Sequence, residues 1–356
     1  MKRKTILIIL GTLVLVIAIL GGGFWYMSTQ PLYRPGMVRA GKNLSAPLIP
    51  PLQPAGSEAW LVEPGTELAH FAVGDGRNVL VIHGGPGEPF AQPISGLEPL
   101  TGTYRFHYYD QRGCGGSSRP IDRFESANFY ENMQTLDKTL GLGVQLADIE
   151  RIRQILGDDK LILIGHSWGG FLASLYAAEF PEHVEALVLV SPANTLVMPQ
   201  PDAESDLFTA VRVRLPAEKQ AEFDAFMEEY MDFNSLFTKS EADLVAMNRK
   251  FGEYYVDAID MPSSDQSPQP GGWMVWAQYV SMGQRHDYRK ALESVTVPVL
   301  VIHGADDLQS ESASRMYAEA FPNAEFAVIQ NASHFSFEEQ PKQFAGLVED
   351  FLAGPK

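Results

Sequence analysis

Leu161-Ile-Leu-Ile-Gly-His-Ser-Trp-Gly-Gly170 is the stretch on which the fold turns. Four apolar residues run into a glycine, a serine stands two places on, and two more glycines open the next segment. The apolar run reads as a buried strand, and residues 169–180 as the helix that follows it. Between them lies Gly-x-Ser-x-Gly, the pattern of a tight strand-to-helix turn that lifts a serine hydroxyl above a sheet. Side chains at Gly165 and Gly169 would clash with the neighbouring strand and helix. The helix N-terminus behind Ser167 favours negative charge developing there. Ser167 is therefore the candidate nucleophile.

Outward from this turn, the pattern repeats. Residues 60–62 and 68–73 read as antiparallel strands joined by the Pro64-Gly65 turn. The runs 79–83, 106–109, 187–190, 299–303 and 327–329 read as further strands. Residues 144–156 carry apolar side chains at helical spacing and stop at Gly157. Strands alternating with helices predict an α/β class with a mostly parallel sheet covered on both faces. The alternation fails over 191–292, which lacks clear strands and is rich in acidic, helix-forming stretches such as 222–230. This region is expected to be an inserted helical cap, its acids forming a solvated face. The core then comprises 60–190 and 293–356.

A serine hydroxyl needs a base, and the base needs an orienting acid. In an elbow of this kind the chain order is serine, acid, histidine. Val299-Leu-Val-Ile-His-Gly-Ala-Asp-Asp307 offers two aspartates at a strand end. Spacing after the strand selects Asp307, with Asp306 as the competing choice. His334, in Asn331-Ala-Ser-His-Phe335, is the only histidine after His303 and is the candidate base. Acyl transfer also needs donors for an oxyanion. The N–H of Trp168, directly after the serine, is one. His83-Gly-Gly-Pro-Gly87 follows the run 79–82 and offers Gly85 as the other, since bare glycines let N–H groups face a substrate. His166 is expected to pack within the turn.

Composition narrows the classes. Acidic residues number 44 against 27 basic, for a net charge of −17, which disfavours a nucleic-acid partner. The one cysteine, Cys114, can form neither an internal disulfide nor a Cys-rich metal site. No His-Glu-x-x-His pattern occurs, and neither a metal nor an organic cofactor is expected.

Lys2, Arg3 and Lys4 precede an apolar run from Ile6 to Met27, with Trp25 and Tyr26 at its far end. Such a run predicts a transmembrane helix within residues 1–30, its N-terminus inside. The competing reading is a cleaved signal peptide, but the run is long for one and no clean small-x-small site follows. Either reading places the remainder outside the cytoplasm, and the helix makes the membrane a partner. Residues 31–59, rich in proline, are expected to form an extended linker.

Several motifs together resemble the prolyl aminopeptidase (proline iminopeptidase) family of α/β-hydrolase fold enzymes. They are His83-Gly-Gly-Pro-Gly87, Asp110-Gln-Arg-Gly-Cys-Gly-Gly-Ser117, Asp148-Ile-Glu-Arg-Ile-Arg153 and Gly165-His-Ser-Trp-Gly169. The resemblance spans roughly residues 60–350. It implies a helical cap above a Ser-Asp-His triad, and release of an N-terminal residue, often proline, from short peptides. Two departures stand out. His166 replaces a glycine of the family elbow. Trp273-Met-Val-Trp-Ala277-Gln278 has no carboxylate where the family's Trp-x-x-Trp-Glu holds the substrate amine. Glu228, Glu229 and Glu253 are other acids that would serve. An esterase or lactonase, which needs no amine anchor, is the alternative. A membrane-tethered binding protein on a dead scaffold is a third reading, disfavoured because all three triad residue types survive. Asp110 and Arg112 read as structural, tying their loop to the site.

Overall fold

The computed structural model describes residues 29–201, 206–260 and 268–354. Among them, the expected core forms an eight-stranded sheet. Its strands are β1 (Ala59–Glu63), β2 (Thr66–Val73), β3 (Arg77–Ile82), β4 (Tyr104–Tyr109), β5 (Leu161–His166), β6 (Val184–Val190), β9 (Val299–Gly304) and β10 (Ala324–Ile329). They lie in the order β1-β2-β4-β3-β5-β6-β9-β10. The β1–β2 and β2–β4 pairs are antiparallel, and every pair from β4 to β10 is parallel. Strands β5 and β9 are buried at every position. That is the burial expected of parallel strands covered on both faces, and it explains their uninterrupted apolar runs.

Two buried clusters sandwich the sheet. One joins Leu80, Ile82, Leu163 and Leu189 to the helices Leu142–Leu156 and Trp168–Glu179. The other joins Val79, Val81, Ile164 and Ile302 to Phe344 and Val348 of the helix Pro341–Ala353. The region 191–292 forms a helical layer of Leu207–Arg214, Ala217–Tyr230, Glu241–Ala258 and Trp273–Met282. It also holds a small antiparallel pair, β7 (Val197–Met198) with β8 (His286–Asp287). Each of these strands is two residues long, too short to leave an alternating pattern.

The transmembrane helix expected in residues 1–30 is not supported. Among the described residues no helix is long and apolar enough to cross a membrane. Residues 1–28 lie outside the described residues. Among the described residues the fold is accordingly an α/β-hydrolase core with a helical layer. The membrane contact and the extracytoplasmic location inferred from that helix are withdrawn with it. The proline-rich stretch 31–59 does not extend away from the domain. Tyr33 and Val38 are buried in the core. The Tyr33 hydroxyl, Gly36 N–H and Arg39 N–H all donate to the carboxylate of buried Glu179, at 2.9, 2.7 and 3.0 Å. A carboxylate at the end of a core helix is thereby given its hydrogen-bond donors by the segment itself.

Candidate active site

Three strand ends build the site. At the end of β5, Ser167 takes φ 54° and ψ −119°, a left-handed backbone unusual for a residue with a side chain. The glycines around it are sterically required. A Cβ at Gly169 would stand 2.0 Å from the Ile82 carbonyl oxygen, and one at Gly165 would stand 2.4 Å from that of Gly169. Ser167 heads the helix Trp168–Glu179 and is partly exposed, while the flanking residues from Leu161 to Gly170 are buried.

At the end of β9, a Cβ at Gly304 would lie 2.0 Å from the Ser333 carbonyl oxygen. Its absence lets the 331–334 turn close onto the strand. Asp306 N–H donates to the Ala332 carbonyl at 2.9 Å, and Asn331 takes φ 54°. This close approach brings His334 to Asp307. His334 Nδ1 lies 2.9 Å from Oδ2 and 3.1 Å from Oδ1 of Asp307. Asp306 is exposed and has no such contact. Burial pushes the Asp307 carboxyl up, but the His334 imidazole and the Gln309 N–H, donating at 2.9 Å, hold it below the ordinary carboxylate value. Gln309 was not evident from the sequence. Its side chain bonds the Ser191 carbonyl and the Asn194 N–H, clamping the acid turn to the end of β6.

His166 is buried, and burial pushes its imidazole down to about 3, so it is neutral. Its Nε2 lies 3.0 Å from the His334 carbonyl oxygen, which makes Nε2 the protonated nitrogen. Its ring stands 4.7 Å from the His334 ring. The departure from glycine thus places a support beneath the candidate base.

Beside Ser167, the 83–88 turn closes with Glu88 N–H donating to the Gly84 carbonyl at 3.1 Å. Gly85 takes φ +112°, which favours glycine. A Cβ at Gly84 would lie 2.9 Å from Ser167 Cβ, so this turn lies against the elbow. Buried His83 holds the turn. Its Nδ1 lies 2.9 Å from the Gly84 carbonyl oxygen, and its Nε2 accepts from Gln111 N–H at 3.0 Å.

Asp110 and Arg112 serve different ends. Asp110 accepts from Gly116 N–H at 2.7 Å within its own loop. Arg112 turns away from the cavity. It binds Asp148 through two nitrogens, at 2.9 and 2.7 Å, and Glu63 at 2.9 Å. Arg151 completes a buried four-membered network with Glu63 and Asp148. It ties the loop to β1 and to the helix Leu142–Leu156 rather than to Ser167.

Ser167, Trp168, Gly85 and His334 share the wall of one cavity of about 2020 Å³. The helical layer roofs it with mostly apolar groups, including Phe208, Phe251, Val275 and Tyr279. The Tyr255 ring stands edge-on to the His334 ring at 5.9 Å. Ala277 is fully buried among Trp273, Trp276 and Leu140, and does not line the cavity. Glu228, Glu229 and Glu253 are exposed and also lie outside its lining. Among the described residues the lining acids are Glu88, Asp206 and Glu338. Glu88 was not considered from sequence. Its signal was position, directly after His-Gly-Gly-Pro-Gly. Among the described residues no three His, Cys, Asp or Glu side chains gather to hold a metal ion.

A family model for the alpha/beta hydrolase fold matches residues 77–341. The proline iminopeptidase of Heyndrickxia coagulans is 25% identical over 290 residues, covering 78% of this chain and 91% of that protein. Two solved structures share the fold. The proline iminopeptidase of Mycobacterium smegmatis has a TM-score of 0.53 at 19% identity, over 81% of this chain and 95% of its own. An esterase from Thermogutta terrifontis has a TM-score of 0.52 at 22% identity, over 81% and 93%.

Proposed function

The chain belongs to the α/β-hydrolase fold family and is a hydrolase, and from that premise we propose that it works through an acyl-enzyme on Ser167, releasing N-terminal residues from short peptides. The observation that carries this reading is the pair His334–Asp307, bonded at 2.9 Å, on the same cavity wall as a strained Ser167. Asp307 holds the proton on Nδ1 of His334, leaving Nε2 as the base. Ser167 Oγ attacks the substrate carbonyl as Nε2 takes its proton. The N–H groups of Gly85 and Trp168 receive the negative oxygen. The imidazolium then protonates the departing amine. Water, activated by the same nitrogen, releases the acid and restores Ser167.

A fluorophosphonate probe tests the chemistry. It is expected to label the wild-type protein and not Ser167→Ala. A folded wild-type protein that resists the probe would sink the proposal. Substrate class is tested by comparing a proline arylamide with short acyl esters. Loss of the arylamide reaction on N-acylation supports the peptidase. A preference for esters would favour an esterase, the reading favoured by buried Ala277, which offers no carboxylate at the family's amine site.

A further inference from the structure

We propose that Glu88 is the specificity residue that binds the cationic amine of the substrate, supplying from the turn that carries Gly85 the carboxylate that Ala277 lacks. This rests on the acyl-enzyme reading of Ser167. Three observations lead to it.

The first is elimination. Of the three acids lining the cavity among the described residues, Asp206 caps the helix Leu207–Arg214, accepting from the N–H and hydroxyl of Thr209 at 2.9 and 2.7 Å. Glu338 accepts from Ser95 N–H at 3.0 Å. Glu88 has neither a hydrogen bond nor an ion pair from its carboxylate to any described residue.

The second is place. Glu88 ends the same closed turn that carries Gly85, and its Cγ stands 3.1 Å from where a Gly85 Cβ would be. Gly84, in that turn, packs on Ser167. In an N-terminal residue the amine is one carbon away from the carbonyl under attack. A carboxylate anchored in the oxyanion turn is therefore on the scale of the distance required.

The third is environment. The Glu88 side chain is open, but it opens onto the cavity interior, so protein rather than bulk water surrounds the carboxyl. Burial pushes it up to about 8, opposed only by the positive charge of exposed Arg249. The buried groups that feel its charge are neutral, the Tyr230 hydroxyl above and the Cys114 thiol below. An ionised carboxylate in such a place lacks a partner, and an incoming ammonium supplies one. The apolar roof then selects the body of the residue, and Glu88 selects its charge.

The test compares wild type, Glu88→Gln and Glu88→Asp on proline arylamide and on a neutral acyl ester. The readout is the ratio of the two kcat/KM values, which is independent of the folded fraction. Glu88→Gln is expected to lower the amine-to-ester ratio about 100-fold, as for a site that loses a charged partner. Glu88→Asp, keeping the charge, should retain most of it. A second readout does not require the peptide reaction: prolinamide should inhibit ester hydrolysis in the wild type, and this inhibition should vanish in Glu88→Gln. An unchanged ratio, or inhibition that survives in Glu88→Gln, would overturn the assignment while leaving the peptidase reading intact. So would a Glu88→Gln protein equally impaired on both substrates. Absence of arylamide cleavage with Glu88-dependent prolinamide inhibition would instead remove the peptidase reading and keep the amine site.

Discussion

On the floor of the cavity, backbone contacts leave no freedom: Gly165, Gly169 and Gly304 each face a carbonyl oxygen at 2.0–2.4 Å from where a Cβ would stand. In the roof, Gly252 of the helix Glu241–Ala258 has nothing within 4 Å of that point. Charges divide the same way. Beneath the floor, Arg112, Arg151 and Asp148 have side chains at most 1% exposed and bond one another. In the roof, the pairs Arg212–Asp224 and Lys219–Asp257 stand 40–47% exposed. The floor holds groups at fixed separations, as proton transfer needs, whereas the roof presents apolar surface whose shape sets the fit of a substrate. Exposed pairs contribute little, so the roof rests on its own packing around Phe223 and Tyr254.

The contrast can be broken at several points. The largest effect is expected at Ser167→Ala, with kcat falling by at least about 10³-fold while the melting temperature holds, since alanine keeps the same Cβ in the same backbone. Activity retained in that variant would remove the floor's chemical role. Next are the buried charges. Asp148→Asn leaves Arg112 and Arg151 under-compensated and should cost about 3–5 kcal/mol in denaturant unfolding. Asp224→Asn, in the roof, should cost less than about 1 kcal/mol. Equal losses would erase the distinction.

Glycine substitutions sharpen it further. Gly169→Ala must displace the Ile82 backbone and should destabilise by about 2–3 kcal/mol, while Gly252→Ala should stabilise its helix by about 0.5–1 kcal/mol. Thermal melts of the two variants should move in opposite directions.

A pH dependence is expected where the two regions meet. Glu88 is raised by burial from 4.5 to about 8, so the folded protein holds this proton more tightly than the unfolded chain. Its contribution is then complete below pH 4.5 and lost as pH rises to about 8. The stability of Glu88→Gln relative to wild type should therefore grow over that window and level off above it. Glu63 has the opposite sign. Burial raises its carboxyl, but the hydrogen bond and charge of Arg112 and the Arg151 charge outweigh this and lower it below 4.5. That contribution is present above pH 4.5 and is lost in acid. A flat difference between Glu88→Gln and wild type from pH 5 to pH 8 would contradict the raised carboxyl.

Much of the floor was legible because its signals are local. The strand 161–164, the turn glycines and the following helix lie in one continuous stretch, and their steric needs can be read from neighbouring residues. The same holds for β9, whose apolar run ends next to the two aspartates. Other features had no local mark. The helix Phe129–Leu140 opens on exposed aromatics, Phe129 and Tyr130, and was not anticipated. The pair β7–β8 joins residues about ninety positions apart. The segment 31–59 looked like a spacer because proline excludes regular structure, yet Tyr33 and Val38 bury themselves against a helix far along the chain.

The sequence by itself determined the class of fold and the glycine turns around Ser167, because each depends on backbone geometry that only certain residues permit. Tertiary structure alone decided that His166 lies against His334 and that Arg112 faces away from the site. It alone singled out Glu88, since being surrounded by protein without a partner is a property of everything around a carboxyl and not of its neighbours in the chain.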